Sequence, residues 1–460
     1  MIHGRKITRQ KEIYDVGIGG KGATGQADEY NLANHTNIGS CISFEKAGDV
    51  ATVNSSPENN AQTSHDGATE TNYNLAHALK VQEPAKYLRN FLDSNGPDPS
   101  LYRKIVRMVL GVGQTEVELL ERRFEDFKPH YPDIAMAGRE WLTQNEPMVM
   151  KGRNQSEPIC AIRSDEGYMV NYQEYTRRLF QGSMRARPDF DYAFNTTIEE
   201  ITWKGDHYEV KTNIGVFRCK TFIFAAGPYS LFFARRLGYG LNKGIYPVGG
   251  SFLYTVRKLL NNKVYCVQIE GMPFARVHGD PDILNPDVTR FGPTTKLLPL
   301  MERHHWETFF DFMQLPTFST QEGIAAFLAI MNNNKLWQYA FKNMVYDLPV
   351  IGPAAFMKEV RHIVPTIQLS DLRLHRHAGG IRPQIVNLET KKLEMGDSTI
   401  EGQNIIFNTT PSPGASVSMA NGRRDAKKIV EMLNAMGGNF HFDEEKFQRE
   451  LGKPRNYTAA

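Results

Sequence analysis

Charge of one sign, paired cysteines and long apolar runs are all scarce in this chain, and each scarcity removes a class of function. Its 460 residues carry 54 Lys and Arg against 51 Asp and Glu, a net charge of +3. So small and diffuse a surplus argues against the dense basic face of a nucleic-acid binder, and leaves room for an anionic substrate or a membrane surface. The four cysteines, Cys41, Cys160, Cys219 and Cys266, are scattered with no C-x-x-C spacing. That excludes a zinc motif and favours reduced, buried thiols in a cytoplasmic setting. No window approaches the roughly eighteen unbroken apolar residues of a membrane span; the longest apolar stretch runs only from Gly323 to Met331. The opening MIHGRKITRQK is polar and basic rather than apolar like a secretory signal, so membrane contact is expected to be peripheral. There is no internal repeat and no low-complexity tract. The length itself favours two or three domains.

What the sequence does have is glycine in a telling place. Val16 to Gly25 reads VGIGGKGATG, and Gly20, Gly22 and Gly25 fit the G-x-G-x-x-G spacing of a dinucleotide-binding turn. The pattern predicts a strand over Ile13–Gly19, a helix from Ala23 to about Thr36 and a second strand over Ile38–Lys46. Glu45, at the end of that strand, lies twenty residues beyond Gly25, where such a unit places a carboxylate for ribose hydroxyls. Two features oppose this: Gly17 weakens the first strand, and the apolar residues of the helix, Ala27, Tyr30, Leu32 and Ala33, share no face.

Helical patterns dominate from about Val81 to Asn145, and strands return from Asp191. The run Phe222–Ala225 has the unbroken apolar character of a buried parallel strand and stops at Ala226-Gly227, where backbone can approach a ligand. Strand-like runs and loops fill Tyr246 to Met313, and Phe318 to Phe341 reads as helical and aromatic. The close, from Asn404 to Leu433, reads as strand, loop and helix. Pro411, Pro413 and Gly414 lead into a helix N-terminus suited to an anionic or carbonyl-rich ligand.

Nucleotide-domain elements at the start, middle and end of a chain are the layout of flavoproteins related to D-amino-acid oxidase. Within that group the sequence resembles the malate:quinone oxidoreductases, in the shorter form of Helicobacter and its relatives. The resemblance rests on NNAQTSHDGATETNY (Asn59 to Tyr73), PFARVHGDPD (Pro273 to Asp282), TRFGPT (Thr289 to Thr294), KNMVYDLPVIG (Lys342 to Gly352), GGIRPQ (Gly379 to Gln384) and TPSPGAS (Thr410 to Ser416). The chain departs from the family in its first βαβ unit, whose strand and helix are more polar.

The resemblance implies an α/β protein: a Rossmann-like FAD-binding domain built from discontinuous segments, plus an α+β substrate domain with a mixed or antiparallel sheet. The expected pieces are an N-terminal tail (1–11), flavin-domain parts at 12–85, 156–238 and 371–436, a helical, substrate-side segment at 86–155, a substrate domain at 239–370 and a C-terminal tail at 437–460. It further implies FAD as cofactor, malate as substrate, a membrane quinone as electron acceptor, and a place in the cytoplasm on the inner face of the membrane. No nucleic-acid partner is expected.

Oxidising a 2-hydroxy acid requires removal of the hydroxyl proton, acceptance of hydride from C2 and fixation of the carboxylates. No side chain accepts hydride, whereas a flavin does. On this reading Gly20, Gly22 and Gly25 meet the pyrophosphate and Glu45 the ribose, while Gly227 and Gly414 allow close approach at the adenine and isoalloxazine ends. Arg382 is the expected carboxylate clamp, because a guanidinium offers a planar donor fork. Arg290 either holds the second carboxylate or braces its loop. His278, with Asp280 near in sequence, is favoured as the base. His65 is expected beside the flavin or positioning substrate. The histidines of LRLHRHAGG (Leu372 to Gly380) lack acids or cysteines at ligand spacing, so no metal is assigned. The aromatic, partly basic KLWQYAFKNMVY (Lys335 to Tyr346) is either a lipid-docking stretch or an ordinary helix. Two rivals remain: a flavoprotein acting on another 2-hydroxy acid such as 2-hydroxyglutarate, and a non-catalytic binding protein that keeps the fold.

Overall fold

The computed structural model describes residues 4–7, 12–268, 276–332, 343, 345, 346, 348, 351–375, 378–394, 398–409 and 414–454. Among these, the strands form three sheets of nine, eight and four strands. The nine-stranded sheet is drawn from three separated stretches of chain. It contains β1 (Arg5–Lys6), β2 (Tyr14–Gly19), β3 (Cys41–Phe44), β7 (Asp191–Ala193), β8 (Ile198–Trp203), β9 (Tyr208–Thr212), β10 (Gly215–Phe224), β20 (Thr399–Gly402) and β21 (Ile405–Asn408). Its central strands run parallel in the order β7-β3-β2-β10-β21, the crossover order of a dinucleotide-binding domain. The β8–β9 hairpin pairs antiparallel onto β10.

The eight-stranded sheet is mixed. It runs β17 (Leu372–Leu374), β12 (Leu253–Thr255), β15 (Thr289–Gly292), β14 (His278–Pro281), β13 (Lys263–Cys266), β4 (Tyr102–Val112), β6 (Ile159–Val170), β5 (Ile134–Ala137). Only the β13–β4 pair is parallel. The four-stranded antiparallel sheet joins β16 (Lys296–Leu297), β11 (Lys243–Gly249), β18 (Ile381–Asn387) and β19 (Lys392–Leu393).

Several expected boundaries move. The segment at 86–155 carries more helix than strand, but its longest strand, β4, lies inside the eight-stranded sheet. Arg103, Lys104 and Arg107 interrupt its apolar pattern, which hides the strand, yet Arg107 is fully buried. The stretch at 156–238 is not all nucleotide domain, since β6 pairs with β4. Likewise β17 and β18, inside 371–436, belong to the other two sheets. Neither end is a plain tail. Arg5 and Lys6 pair with β7, and the C-terminal helix Glu444–Leu451 buries Phe447 and Leu451 in a core with Tyr87, Leu88 and Tyr175.

The first helix, Ala23–His35, explains why its sequence has no apolar stripe. It is wedged between the helices Tyr172–Ala186 and Ser418–Ala435 and is buried nearly all round. Several of its polar side chains are matched inside. Glu29 pairs with Lys21, which also donates to Ser43 at 2.7 Å. Asn31 donates to the Ala27 carbonyl at 2.8 Å, and His35 meets Glu450 at 3.1 Å. Burial, then the charge of Asp425, pushes the Asp28 carboxyl well above its ordinary value. An internal polar set of this kind holds register in place of an apolar face.

Gly17 is likewise a fitted residue rather than a weakness: a Cβ there would lie 2.4 Å from the Phe222 ring and 2.7 Å from Cys219 Sγ on the adjacent strand. Phe222, Phe224, Phe233 and Phe407 pack behind it, with Phe224 stacked on Phe233 and Phe407 at centroid distances of 4.5 and 5.6 Å.

A Cβ on Gly25 would fall 2.1 Å from the Gly20 carbonyl oxygen, whereas one on Gly22 would meet only Ser55 Oγ at 3.4 Å. Gly25→Ala is therefore expected to lower stability by about 1–3 kcal/mol, the range for overpacking. Gly22→Ala should stay within the scatter of surface changes, about 0.5 kcal/mol. Chemical denaturation of both variants checks this, and equal loss in the two would refute it.

Candidate active site

Where the parallel strands end, the chain encloses a cavity of about 670 Å³. One part of its wall is the glycine loop after β2, with Glu45 and Lys46 after β3, Thr196–Glu199, and Ala225–Gly227 after β10. Another part comes from the substrate-side sheets and the loop after β3, with His65, Glu70, Tyr73, Tyr265, Gln268, His278 and Arg382. Gly414, Ala415 and Ser416, leading into the last long helix, also line it.

The nucleotide side is built from backbone. Gly20 adopts φ +101°, and a Cβ there would meet the Ala225 carbonyl at 2.7 Å. Gly22 caps the first helix without a side chain; the Ala23 N–H donates to Ser55 Oγ at 3.1 Å, and the rest of that positive helix end lies at the cavity, as an anion requires. Glu45 accepts the backbone N–H of Lys21 at 2.7 Å and of Ala47 at 2.9 Å, one on each carboxylate oxygen. Each oxygen keeps a lone pair for a ribose hydroxyl. Gly227 has φ +58°, and its nearest neighbour for a Cβ is Asn54 Nδ2 at 3.7 Å, which leaves open space. These features fit a dinucleotide: a diphosphate at Gly20 and Gly22, and a diol at Glu45.

The other side is built from side chains. Arg382 lies on β18 opposite Val248. Its strand start is fixed by Asn54 Oδ1, which accepts from the Ile381 N–H at 3.1 Å. Among the described residues no carboxylate pairs with Arg382, and its Nε has no hydrogen-bond partner. Burial, against a smaller pull from Tyr73, pushes its guanidinium below the ordinary arginine value. Even a half-buried cation without an anion is costly, so this group calls for an anionic ligand.

Two imidazoles share the cavity. His65 Nδ1 is 2.8 Å from Glu70 Oε1, and the His65 backbone N–H donates to Ser416 Oγ at 3.0 Å. His278 is 2% exposed and neither ring nitrogen has a partner. Asp280 Oδ1 is 3.8 Å away, but it accepts from Lys263 at 3.1 Å, and its other oxygen accepts from Arg290 at 2.9 Å. Burial first, then the Lys263 charge, pushes the His278 imidazole well below its ordinary value in spite of Asp280. Tyr265 lies between the histidines, its ring 5.2 Å from that of His278 and 6.5 Å from that of His65. Beside Thr63, its hydroxyl makes no hydrogen bond of normal geometry.

The cavity thus gathers Gly20, Gly22, Glu45, Gly227, Gly414, His65, His278 and Arg382 from across the sequence. It excludes two expected members. Arg290 is fully buried against Asp280 and Asp282, and its guanidinium donates to the Pro57 carbonyl at 3.3 Å. It braces β14 to the loop after β3 and does not line the cavity. Gly25 touches no part of the cavity wall; it lets the first helix close on the Gly20 turn. Glu70, Tyr73, Gln268 and Tyr265 were not foreseen. Glu70 stands five residues after His65 in the stretch SHDGATE, a signal that was present. Tyr265, on the strand KVYC, looks like any core aromatic. Pro411 and Pro413 lie outside the described residues, as do Arg376 and His377.

Solved structures share this architecture at TM-scores above 0.6. Glycine oxidase from Geobacillus kaustophilus matches with TM-score 0.62 and 16% identity over 94% of this chain and 97% of that one. L-α-glycerophosphate oxidase from Mycoplasma pneumoniae, solved with FAD bound, matches with TM-score 0.63 and 17% identity over 94% and 97%. The fold is the one these oxidases share. Within it, the chain belongs to the malate:quinone oxidoreductase family, whose profile matches residues 30–422. A probable malate:quinone oxidoreductase of Campylobacter jejuni is 35% identical over 455 residues, covering 96% of this chain and 99% of the relative. The malate:quinone oxidoreductase of Helicobacter pylori strain J99 is 32% identical over 446 residues, covering 95% and 98%.

A His held neutral by the fold makes stability depend on pH. The unfolded imidazole titrates near 6.5 and the folded one lower, so the unfolded state binds the extra proton first. The contribution is complete above about pH 6.5 and is lost as pH falls toward the folded value. Unfolding midpoints of the wild type should decline below that point, and His278→Gln should flatten the decline. An identical slope in both proteins would refute the assignment.

Proposed function

We propose that the protein oxidises (S)-malate to oxaloacetate with bound FAD and passes the electrons to a membrane quinone. The observation that carries this reading is the half-buried guanidinium of Arg382, without a carboxylate partner among the described residues, in one cavity with a glycine turn and a carboxylate fitted to a dinucleotide. Family membership narrows the anion to malate. Gly20 and Gly22 would hold the diphosphate, Glu45 the ribose, and Gly227 and Gly414 would permit close approach toward either end. The flavin supplies, when bound, an acceptor for hydride and a relay of electrons singly or in pairs. The chain itself does the rest. Arg382 fixes a substrate carboxylate, and His65 and His278 are the imidazoles available for the hydroxyl proton. The nine-stranded sheet serves the flavin, and the other two sheets serve the substrate.

Contact with the inner face of the cytoplasmic membrane belongs to the same proposal, because a quinone is reached there. No helix of the described residues is long and apolar enough to cross a membrane. Trp306 and Phe310 are 70% and 73% exposed, and aromatic side chains of this kind favour the lipid–water interface. The stretch Lys335 to Tyr346, to which the sequence pointed, lies outside the described residues apart from Asn343, Val345 and Tyr346.

Purified protein loaded with FAD should be yellow and should bleach on anaerobic addition of L-malate. A quinone-like dye should then restore the colour faster than oxygen does. Preferential bleaching by 2-hydroxyglutarate would move the assignment to that acid, and failure to take up FAD would favour a non-catalytic descendant. Arg382→Ala should cut kcat/KM for malate roughly 30- to 150-fold, from the loss of about 2–3 kcal/mol in charged hydrogen bonds; an unchanged value would remove Arg382 from the site. Replacing Trp306 and Phe310 together by Ser should release the protein from liposomes in flotation assays, and undiminished flotation would discard this surface.

A further inference from the structure

We propose that His65 takes the hydroxyl proton of the substrate, and that Glu70 is the positioning residue that makes it able to do so. This rests on the oxidation proposed above. In that step the substrate O–H bond breaks and an Nε2–H bond forms on His65. The C2–O bond becomes a carbonyl, and the C2 hydrogen leaves with its electron pair to the flavin.

The geometry separates the two histidines. Glu70 Oε1 lies 2.8 Å from His65 Nδ1, while Glu70 Oε2 accepts the Gly67 backbone N–H at 2.9 Å. The carboxylate is therefore fixed from both sides and holds Nδ1 as the protonated nitrogen. Nε2 then carries the lone pair, on a ring that lines the cavity and has no other partner among the described residues. His278 has no such contact. Its carboxylate neighbour, Asp280, is already engaged by Lys263 and Arg290, and the ring is shut away from water.

A base must tolerate the positive charge it acquires. At His65 that charge would touch a carboxylate; at His278 it would arise in a dry pocket beside Lys263. The groups facing the His65–Glu70 pair are Asp66 and Tyr73 from the same loop, Arg107 from β4, Arg123 from the helix Gln114–Phe127, Tyr131 from the turn after that helix, Tyr265 from β13 and His278 from β14. Arg107 is 3.7 Å from Glu70 but is bonded to Asp66 at 2.7 Å. Burial works against ionised Glu70, but the His65 hydrogen bond and charge and then Arg107 hold its carboxyl below the ordinary value. It is an anion at neutral pH.

The test is the rate of anaerobic flavin reduction by malate in the FAD-loaded enzyme as a function of pH. The wild type should show one acid limb, with the rate rising as the base loses its proton. Removing the carboxylate destabilises the imidazolium, so Glu70→Gln should move the limb to lower pH by about one unit or more and lower the plateau by about 10- to 100-fold. Glu70→Asp should recover part of both. His65→Gln should lose roughly 10²- to 10⁴-fold together with the limb, and His278→Gln should keep the limb in place. An unmoved limb and plateau in Glu70→Gln, or a limb lost with His278 rather than His65, would overturn the proposal. If Glu70→Gln does not take up FAD, His65→Gln and His278→Gln decide it between them. If malate fails to bleach the wild type, the substrate assignment has failed and not this one. The His65 resonance in a histidine NMR titration then decides it: the signal absent from His65→Gln must titrate at lower pH in Glu70→Gln.

Discussion

The carboxylate of Asp66, clamped between Arg89 and Arg107, is the contact on which the site depends. Arg107 reaches it from the middle of β4 at 2.7 Å and Arg89 from the helix Leu75–Ser94, all three side chains being buried. The two charges hold the Asp66 carboxyl well below its ordinary value, overcoming the burial that opposes ionisation. Around this clamp the polar loop Asn59–Tyr73 is drawn into the interior. Arg107 also donates to the Ser64 carbonyl, Arg123 to the carbonyls of Tyr73, Glu70 and Gly67, and Tyr131 to that of Asp66. A buried loop must place its backbone groups somewhere, and here two arginines and a tyrosine receive them. Breaking one such buried pair typically costs about 3–5 kcal/mol. The loop carries both His65 and Glu70.

The clamp also shapes the field in the cavity. Arg107, Arg290 and Lys263 are each matched by carboxylates within 4 Å, so they add structure without adding net charge. Arg382, on the substrate side of the wall, has no carboxylate partner among the described residues. Selectivity for a small anion thus comes from neutralising these three buried cations as much as from displaying one.

How far the sequence could be read follows from how local each signal was. The glycine turn and Glu45 were legible because spacing along one βαβ unit fixes their meeting in space. Strand β10 was legible because it is buried on both faces. Strand β4 was not, since Arg107 is a charged residue in a core position and only its partner Asp66, 41 residues earlier, makes that tolerable. The first helix misled for the same reason: its partners Glu450 and Asp425 are at the far end of the chain. Arg290 and Arg382 looked alike in sequence. What parts them is that Asp280 faces Arg290 in the β14–β15 register, while the strand opposite Arg382 offers Val248. The glycine-rich, acid-free neighbourhood of Arg382 was the cue that remained.

The interleaved order of the nine-stranded sheet bears on how the protein is made. Strand β10 sits between β2 and β21, so the parallel sheet that forms the nucleotide floor stays open on one side until residue 408 has left the ribosome. Pairings so distant along the chain are slow to close, and an unpaired inner strand invites wrong partners meanwhile. The substrate-side sheet, complete by residue 374, can form first and serve as the template on which the cofactor half assembles. Cofactor capture is then a late event in biosynthesis, and a nascent chain stopped before β21 is colourless.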